Sequence, residues 1–466
     1  MKALLINPPT GLYVREDRCQ SSVSDFTVSV TRPPMDLMMM ASSLEAVKVI
    51  CRIKDYPMEG GGWDSFKKDF SDFNPDLLVL SITTPTIKDD FLALAIAREV
   101  NPQVLTVAKG AHFSIYDSQI LKEYENLDII IKGESETVIR EIITGDNWAS
   151  IPGISYRVKG EIKINKPRPF LNDLDKLPFP ARHLVRNKLY VRPDTQEPMA
   201  VIETSRGCPY DCIFCLVKEV AGKKVRCRSP KIVVDEIEEC VNKYNIRNFH
   251  FKSDTFTWNK PWVLELCQEI RKRKLKIEWI CNSRVDTLDN ERLLWMKKAG
   301  CWAIGLGVES GNQQILDKIK KGITLGQAKQ AVTLCRKLGV KTYAYFIIGF
   351  PWDTEESIND SLSFALKLKP AFLDFFFPYP FPGTELEMIA KDYYLMPVNL
   401  EVNAYAEPVM NTLVLSKERL SVIRKHALRK FYLRPGYIFS TLCSIKSPGE
   451  LLNYINYGIS TLRKIF

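Results

Sequence analysis

Long hydrophobic runs are absent from this sequence of 466 residues. No stretch of roughly 18 residues lacks a charge, which excludes a membrane-spanning helix. Internal repeats and low-complexity tracts are also absent. Hydrophobic residues make up 45% and charged residues 26%, so a disordered or fibrous chain is excluded. The N-terminus, M-K-A-L-L-I-N-P-P, is typical of a first strand and not of a signal peptide. We therefore expect a cytoplasmic protein.

Paired cysteines of the kind that form a disulfide framework are not evident either. Cys208, Cys212 and Cys215 form a C-x3-C-x2-C pattern, which in a reducing compartment is typical of a metal or catalytic site. The other nine cysteines are single residues that fit buried apolar positions: Cys19, Cys51, Cys227, Cys240, Cys267, Cys281, Cys301, Cys335 and Cys443.

Residues 1–145 alternate apolar strands with amphipathic stretches, which predicts a doubly wound, Rossmann-like parallel sheet. No G-x-G-x-x-G follows the first strand, so a dinucleotide site is not expected. Another flat or phosphorylated ligand remains open, bound beyond the carboxyl ends of the strands. We expect strands at Lys2–Asn7, Val49–Lys54, Leu77–Ile82, Val104–Ala108 and Asp128–Ile131, and helices near 36–46, 64–72, 89–100, 116–124 and 135–144.

The rest of the chain divides into three parts. Residues 146–194 contain a short hairpin over Tyr156–Ile164, which turns at Lys159-Gly160, and several prolines, which predict a linker. Residues 195–385 contain six strand–helix units, which predict a partial (β/α)6 TIM-type barrel with its chemistry at the carboxyl rim. Residues 386–466 are expected to be helical and basic. The barrel strands are expected near 200–205, 247–252, 276–281, 302–308, 341–348 and 371–377, and its helices near 230–244, 260–272, 289–299, 324–338 and 354–368.

The cysteine triplet follows the first barrel strand, on a loop with no fourth Cys or His close by. A structural zinc site takes four protein ligands, and a ferredoxin-type cluster takes four thiolates. Three thiolates leave one iron of a cubane without a protein ligand, which suits a cluster that binds substrate. A zinc site completed by a distant residue, or three unrelated core cysteines, remain the alternatives.

The cysteine segment E-T-S-R-G-C-P-Y-D-C-I-F-C resembles the signature of the radical S-adenosylmethionine (SAM) superfamily. Five later segments are similar to that superfamily's successive strand-end motifs, in order: F-H-F-K-S-D-T-F, W-I-C-N-S-R-V-D, A-G-C-W-A-I-G-L-G-V-E-S-G, F-I-I-G-F-P-W-D-T and P-Y-P-F-P-G-T. Together with the N-terminal region they resemble the branch that carries a cobalamin-binding domain. That branch includes hopanoid-associated and magnesium-protoporphyrin-cyclase-like members. The similarity covers roughly residues 1–385.

This resemblance implies that the three cysteines bind a [4Fe–4S] cluster whose fourth iron is chelated by SAM. Asp254 stands in S-D-T-F, where many relatives have two acids. No Asp-x-His-x-x-Gly motif occurs, so no histidine is expected below the cobalt, and the loop from Pro8 to Pro34 would cover that face. The residues implied to contact SAM are Phe214, Asp254, Ser283, Arg284, Glu309 and Gly349, and those implied to contact cobalamin are Thr83, Thr84, Gly110, Ala111, His112, Gly133 and Glu134.

The resemblance implies an enzyme that cleaves SAM reductively to a 5′-deoxyadenosyl radical. The radical would abstract hydrogen from an unactivated substrate carbon, and methylcobalamin would then supply a methyl group. An external one-electron reductant of the flavodoxin or ferredoxin type is implied as well. Three alternatives remain: a cyclase or rearrangement enzyme without methyl transfer, a domain that has lost its cobalamin, and a non-catalytic cobalamin or iron–sulfur sensor.

The C-terminal segment is strongly basic and interleaved with aromatic residues. It has ten Lys or Arg against two Glu from Lys417 to Phe466. Such a surface is typical of peripheral contact with anionic lipid headgroups, and the hopanoid-associated resemblance favours a lipid or isoprenoid-like substrate. A basic helical cap on the barrel is the alternative. No recognition motif accompanies the charge, so nucleic acid is not expected. The basic residues are 417, 419, 424, 425, 429, 430, 434, 446, 463 and 464.

Overall fold

The computed structural model describes residues 1–17, 20–145, 147–396, 405–445 and 447–466, without the side chains of Ser460 and Ile465. Cys19 and Lys446, which the sequence analysis names, lie outside the described residues. Two sheets organise the described chain, one of seven strands and one of six, and a two-stranded hairpin accompanies the second.

The first sheet is built from the N-terminal part of the chain, in the order β2-β1-β3-β4-β5-β6-β7. Its first five strands are parallel, and the last two add an antiparallel edge. Every residue of the central strand β3 is buried, as expected of a parallel sheet with helices on both faces. The strands are β1 (Lys2–Asn7), β2 (Ile50–Asp55), β3 (Leu77–Ser81), β4 (Leu105–Lys109), β5 (Ile129–Ile131), β6 (Ile154–Val158) and β7 (Glu161–Ile164).

Helices cover both faces of this sheet and close two apolar layers. One layer includes Leu37 and Val138, and the other includes Phe66, Phe70 and Leu94. The expected Rossmann-like architecture is therefore confirmed, although the helix expected over 89–100 is divided in two. The helices are α1 (Met35–Glu45), α2 (Tyr56–Glu59), α3 (Trp63–Phe73), α4 (Ile87–Asp90), α5 (Leu92–Val100), α6 (Phe113–Glu123) and α7 (Glu136–Thr144).

The hairpin expected near 156–164 is present, but it is part of the first sheet. β6 pairs antiparallel with β5, and β7 pairs with β6. Lys159 and Gly160 turn the chain with φ of 50° and 82°, and two positive φ values suit the right-handed twist of the flanking strands. The first sheet thus extends beyond residue 145, into the segment expected to be a linker. The division into domains stays a prediction.

The second sheet contains six parallel strands in the order β15-β14-β13-β12-β11-β8. The expected partial barrel is confirmed, because β8 and β15 are the two edges and do not pair with each other within the described sheet. The strands, with the short hairpin β9–β10, are β8 (Met199–Glu203), β9 (Ser205–Arg206), β10 (Arg226–Cys227), β11 (Asn248–Lys252), β12 (Glu278–Arg284), β13 (Cys301–Glu309), β14 (Lys341–Ile347) and β15 (Phe372–Phe376).

Side-chain caps fix where the barrel helices begin. The Ser229 side chain accepts a hydrogen bond from the backbone N–H of Ile232, and the Asn259 side chain accepts one from that of Trp262. A proline stands in the first turn of each helix. Helices α9 and α10 therefore have the bounds expected from the sequence. The helices are α8 (Val217–Val220), α9 (Pro230–Tyr244), α10 (Lys260–Lys272), α11 (Asn290–Lys298), α12 (Gln313–Lys318), α13 (Leu325–Lys337), α14 (Glu355–Leu368) and α15 (Glu385–Asp392).

The C-terminal region is helical and packs against the open side of the barrel. It contains α16 (Lys417–Tyr432), α17 (Pro435–Ser444) and α18 (Pro448–Ile465). Leu420 and Phe431 of α16 are buried in the barrel's own core. Within the described ranges, no helix combines the length and the apolar character needed to cross a membrane.

Candidate active site

The three clustered cysteines lie on the loop that follows the first barrel strand. They stand between β9 and α8 and are half-buried. The backbone N–H of Cys208 donates to Gly222 O at 3.1 Å, and that of Cys215 donates to Cys212 O at 3.1 Å. Gly207 has φ of +94°, and a Cβ there would stand 2.2 Å from Lys224 O. Only glycine allows this close approach, so the residue before the first cysteine fixes the path of the loop.

Side chains from the ends of the next two strands contact this loop. Asp254, after β11, accepts a hydrogen bond from the Gly207 N–H at 2.7 Å. Arg284, at the end of β12, lies with Nη1 3.9 Å from Cys212 Sγ. These two predicted site residues therefore lie beside the cysteines, as the strand-end motifs imply.

An aromatic ring and a carboxylate that were not predicted hold Arg284 in place. Its guanidinium carbon lies 3.4 Å from the centre of the Tyr210 ring. Its Nε lies 2.9 Å from Asp286 Oδ1, and the Tyr210 hydroxyl donates to Asp286 Oδ2 at 3.3 Å. Burial raises the pKa of Tyr210, and the negative charge of Asp286 raises it further. The side chain of Arg284 is thus oriented before any ligand binds.

A buried ion pair stands at the end of the fourth barrel strand. Lys321 Nζ lies 2.8 Å from Glu309 Oε1, and the two side chains are 7% and 9% exposed. Burial alone would lower the pKa of Lys321, but the charges of Glu309 and Cys212, together with the hydrogen bond to Glu309, outweigh burial and raise that pKa. Glu309 has φ of +64°, an unusual backbone conformation typical of functional sites. The sequence predicted Glu309 but not Lys321, which lies in the loop after α12.

Two thiols of the loop, those of Cys212 and Cys215, are protonated when free, because burial raises the pKa of each. Burial raises the pKa of Cys215 to about 12 and also raises the pKa of Cys212, against the opposing charges of Lys321 and Arg284. Metal binding requires the thiolate. The two cations beside Cys212 would stabilise that form once iron is bound.

The spacing of the thiols in space bears on which metal they suit. Among the described residues, no three or more His, Cys, Asp or Glu side chains converge on one point where a single metal ion could bind. A zinc ion needs four ligands at about 2.0–2.3 Å from one centre. A cubane cluster takes one thiolate at each of its separate irons, which needs no such convergence.

The remaining predicted SAM contacts have partners within the barrel. The Ser283 hydroxyl hydrogen-bonds the Thr257 hydroxyl. The Phe214 ring lies 5.7 Å from that of Phe350. Gly349, with φ of +95°, has Leu420 of α16 3.1 Å from the position of a Cβ. For these three residues, contact with SAM stays a prediction.

The carboxyl edge of the first sheet contains buried polar atoms without partners. Among the described residues these include Asn7 Oδ1, Thr84 Oγ1 and His112 Nδ1, at the ends of β1, β3 and β4. Burial lowers the pKa of His112 to about 4, so its ring is neutral at physiological pH. Buried polar groups are normally hydrogen-bonded. This edge therefore offers both donors and acceptors to a ligand.

Other residues expected at that edge have structural contacts. The Thr83 hydroxyl bonds that of Thr86 at 2.7 Å, and a Cβ on Gly110 would lie 2.8 Å from Ile82. Ala111 packs in a small apolar cluster with Phe381. Gly133 has φ of +77° and open space around its Cα. For each of them, contact with cobalamin stays a prediction.

Glu134 joins the two sheets. Its carboxylate accepts from Arg226 Nη1 at 2.7 Å and from the Leu171 N–H at 2.6 Å, and Arg206 Nη1 lies 3.2 Å away. Arg206 and Arg226 belong to the hairpin that flanks the cysteine loop. The edge of the first sheet is thereby tied directly to the cysteine loop.

A gap of about 70 Å³ separates the first sheet from the cysteine loop, and charged side chains line it. Lys109 pairs with Asp36 and with Asp17, and Arg206 pairs with Glu203 at 2.6 Å. Lys109 and Lys252 outweigh burial and hold the pKa of Asp36 below its usual range.

Comparison with known proteins decides the family. The Radical SAM superfamily profile matches residues 202–365, a span that includes the three cysteines. An uncharacterised methyltransferase of Pyrococcus horikoshii is 31% identical over 447 residues, which cover 95% of each chain. The chain belongs to the radical SAM superfamily. The resemblance inferred from the strand-end motifs is therefore confirmed.

Further relatives and one solved structure show what else this radical SAM protein is similar to. Anaerobic magnesium-protoporphyrin IX monomethyl ester cyclase of Rubrivivax gelatinosus is 28% identical and covers 80% of this chain and 69% of its own. Hopanoid C-3 methylase of Methylococcus capsulatus is 24% identical, over 90% and 81%. The cobalamin-dependent SAM radical enzyme OxsB superposes with a TM-score of 0.72 at 18% identity, over 99% of this chain and 72% of OxsB. The radical SAM protein shares that fold along nearly all of its described length.

Proposed function

We propose that this protein is a cobalamin-dependent radical SAM methyltransferase that acts on an unactivated carbon of a small molecule. One observation carries the proposal: three cysteines share a loop at the carboxyl end of the first barrel strand, and Asp254 and Arg284 from the next two strands contact that loop. The family membership and the methyltransferase among its relatives support it.

Each part of the loop has a role in this proposal. Cys208, Cys212 and Cys215 would hold a [4Fe–4S] cluster and leave one iron open to SAM. When bound, the cluster and SAM supply a 5′-deoxyadenosyl radical, cobalamin supplies the methyl group, and a flavodoxin- or ferredoxin-type donor supplies the electron. Arg284 brings positive charge to the Cys212 thiolate. The Glu309–Lys321 pair presents a carboxylate and an ammonium at the same rim, where polar groups of SAM would bind.

Cobalamin would bind at the carboxyl edge of the first sheet. The unpartnered atoms of Asn7, Thr84 and His112 fit its many amide groups. The sequence lacks Asp-x-His-x-x-Gly, so we expect no axial histidine and a base-off cofactor. Electron paramagnetic resonance of the cob(II) form tests this: nitrogen superhyperfine splitting would contradict it.

Anaerobic reconstitution with iron and sulfide tests the cluster assignment. The wild-type protein should bind about four irons per chain, the number in a cubane. Replacing Cys208, Cys212 or Cys215 by Ala should abolish that cluster while the fold survives, because the residues lie on a loop outside the core. Cys227→Ala is the matched control, since Cys227 is also half-buried and lies on β10, whose partner strand β9 leads into the cysteine loop. Equal iron content in Cys227→Ala and Cys212→Ala would contradict the assignment.

A second candidate function is a cyclisation or rearrangement that uses the same cofactors without methyl transfer. The observation that favours it is the 28% identity to the magnesium-protoporphyrin ester cyclase over 80% of this chain. The two functions differ in their products. A methyltransferase forms S-adenosylhomocysteine together with 5′-deoxyadenosine, whereas the cyclisation forms 5′-deoxyadenosine alone.

We extend the proposal to a cytoplasmic protein that contacts a membrane through α17 and α18. The basic charge supports this less than the sequence suggests, because Arg424 is buried and Arg419 pairs with Glu355. Exposed apolar side chains on these helices support membrane contact more strongly. Phe439, for example, is 70% exposed.

Vesicle flotation tests the membrane contact. Phe439→Ser should reduce recovery with anionic vesicles. Val422→Ser is the control, since Val422 is exposed to 55% but lies on α16. No recovery of the wild-type protein, or equal recovery of the two variants, would contradict the contact.

A further inference from the structure

A cavity of about 370 Å³ lies between the inner face of the barrel sheet and the C-terminal helices. Tyr343 and Tyr345 of β14 line it, whereas Ala344 and Phe346, which alternate with them along the strand, pack into the core on the other face. This follows from the alternation of side chains along a strand. Ligand sites typically have volumes of about 300–1,000 Å³. We call this cavity the inner chamber.

The lining of the inner chamber is almost entirely apolar. Typical lining residues are Val28, Phe249 and Ile280. Among the described residues that line it, the charged side chains are Arg192 and Asp194, and they pair with each other at 2.6 Å. The two charges of the lining therefore neutralise each other, and neither is available to pair with an ionic group of a ligand. The chamber favours hydrocarbon, because the hydrophobic effect is non-directional and scales with buried apolar area.

The inner end of the chamber lies toward the carboxyl ends of the barrel strands, the side on which the cysteine loop stands. Asn282 and Gly305 line that end. Arg284 follows Asn282 by two residues on the same face of β12, about 7 Å further along the strand, and its Nη1 lies 3.9 Å from Cys212 Sγ. A molecule that fills the chamber would thus bring one end next to the proposed SAM site.

The outer end of the chamber opens at the surface. Ile438 and Leu442 of α17, and Leu451, Ile455 and Leu462 of α18, line the chamber and are nevertheless 38–54% exposed. Ten of the 25 exposed large apolar side chains in the described chain lie between Leu433 and Phe466. Apolar surface is therefore continuous from solvent, between the two helices, into the chamber.

We infer that the inner chamber binds the hydrocarbon part of a lipid-like substrate, which enters between α17 and α18. The inference rests on the proposed function, since it names the substrate class of that site. The apolar lining holds the substrate, and the reacting carbon lies at the inner end near Asn282. The polar part of the substrate stays at the surface, where Lys430 and Arg463 are exposed.

Titration with cis-parinaric acid, a fluorescent polyunsaturated fatty acid, tests this inference on the full-length protein. Gly458 and Gly449 lie on the same helix, and a Cβ on either would meet nothing within 4 Å, but only Gly458 lines the chamber. Gly458→Trp should fill the chamber, and Gly449→Trp is the matched control. We expect saturable binding of about one probe per chain by the wild type and by Gly449→Trp. Gly458→Trp should bind at least about tenfold more weakly, which is about 1.4 kcal/mol.

The outcomes separate this inference from the proposed function. Absence of saturable binding in the wild type, or equal binding by the two tryptophan variants, would overturn the chamber as a lipid site. Vesicle binding without saturable probe binding would also overturn it, because only the outer surface of α17 and α18 would then be used. Iron content is measured on the same preparations: a normal cluster without probe binding contradicts this inference alone, and probe binding without a cluster contradicts the proposed function alone.

Discussion

Breaking the buried ion pair at the barrel rim should destabilise the protein strongly, with or without cofactors. Lys321→Met keeps most of the aliphatic side chain but removes the ammonium that lies 2.8 Å from the Glu309 carboxylate. Removing one partner of a buried pair costs about 3–5 kcal/mol, because the other charge stays buried without compensation.

The neighbouring residue Lys320 supplies the matched control. Its Nζ lies 2.7 Å from Glu385 Oε1, but the two side chains are 52% and 37% exposed. Solvent screens such a pair, which is worth about 0–1 kcal/mol. Lys320→Met should therefore lower the free energy of unfolding by less than about 1 kcal/mol.

Urea unfolding of the metal-free protein, followed by tryptophan fluorescence, measures the difference. The double variant Glu309→Gln with Lys321→Met should recover most of the loss, because neither charge remains. The pKa of Lys321 is raised, so its contribution is complete below the ordinary value of 10.5 and is lost only as the pH rises through the higher folded-state pKa. The deficit should thus be constant near neutral pH. Equal destabilisation by Lys320→Met and Lys321→Met would refute the reasoning.

Two further stability predictions follow from the backbone and from burial. Gly300 has φ of +99°, and a Cβ there would lie 2.1 Å from Ile277 O, whereas Gly339 has φ of +67° and no atom within 4 Å of the position of a Cβ. Gly300→Ala should therefore lower the free energy of unfolding by about 1–3 kcal/mol more than Gly339→Ala. Equal losses of the two variants in urea titrations would contradict this. Burial lowers the pKa of His112 from 6.5 to about 4, so its contribution is present above pH 6.5 and is lost as the pH falls toward 4. Between those values the wild type should lose about 3 kcal/mol of stability relative to His112→Gln, and parallel stability curves would contradict it.

The local pattern of the sequence predicts the strands and helices closely, because the signals are local. Ser229 and Asn259 cap α9 and α10 through their own side chains, so about four consecutive residues specify where each helix begins. The antiparallel pairing of β6 with β5 depends on residues far apart in the chain. Nothing in the hairpin's own sequence shows which strand it joins.

The candidate active site likewise has a part that the sequence predicts and a part that it does not. The cysteine spacing is local, and Asp254, Arg284 and Glu309 end consecutive strands, so parallel topology alone brings them to one rim. Lys321 was not predicted, because its loop reaches the site only through tertiary packing. Asp286 was not predicted as a site residue either, although it follows Arg284 by two residues and ends the motif W-I-C-N-S-R-V-D. The inner chamber depends on how α17 and α18 dock, which periodicity does not specify.

The most direct test of the central claim is product analysis after anaerobic reconstitution with iron, sulfide and cobalamin, using SAM and a low-potential one-electron reductant. The account predicts that the wild type forms both 5′-deoxyadenosine and S-adenosylhomocysteine, and that Cys212→Ala forms no 5′-deoxyadenosine while Cys227→Ala behaves as the wild type. A wild-type protein with about four irons per chain that forms no 5′-deoxyadenosine would contradict the radical SAM mechanism. Formation of 5′-deoxyadenosine without S-adenosylhomocysteine would contradict methyl transfer.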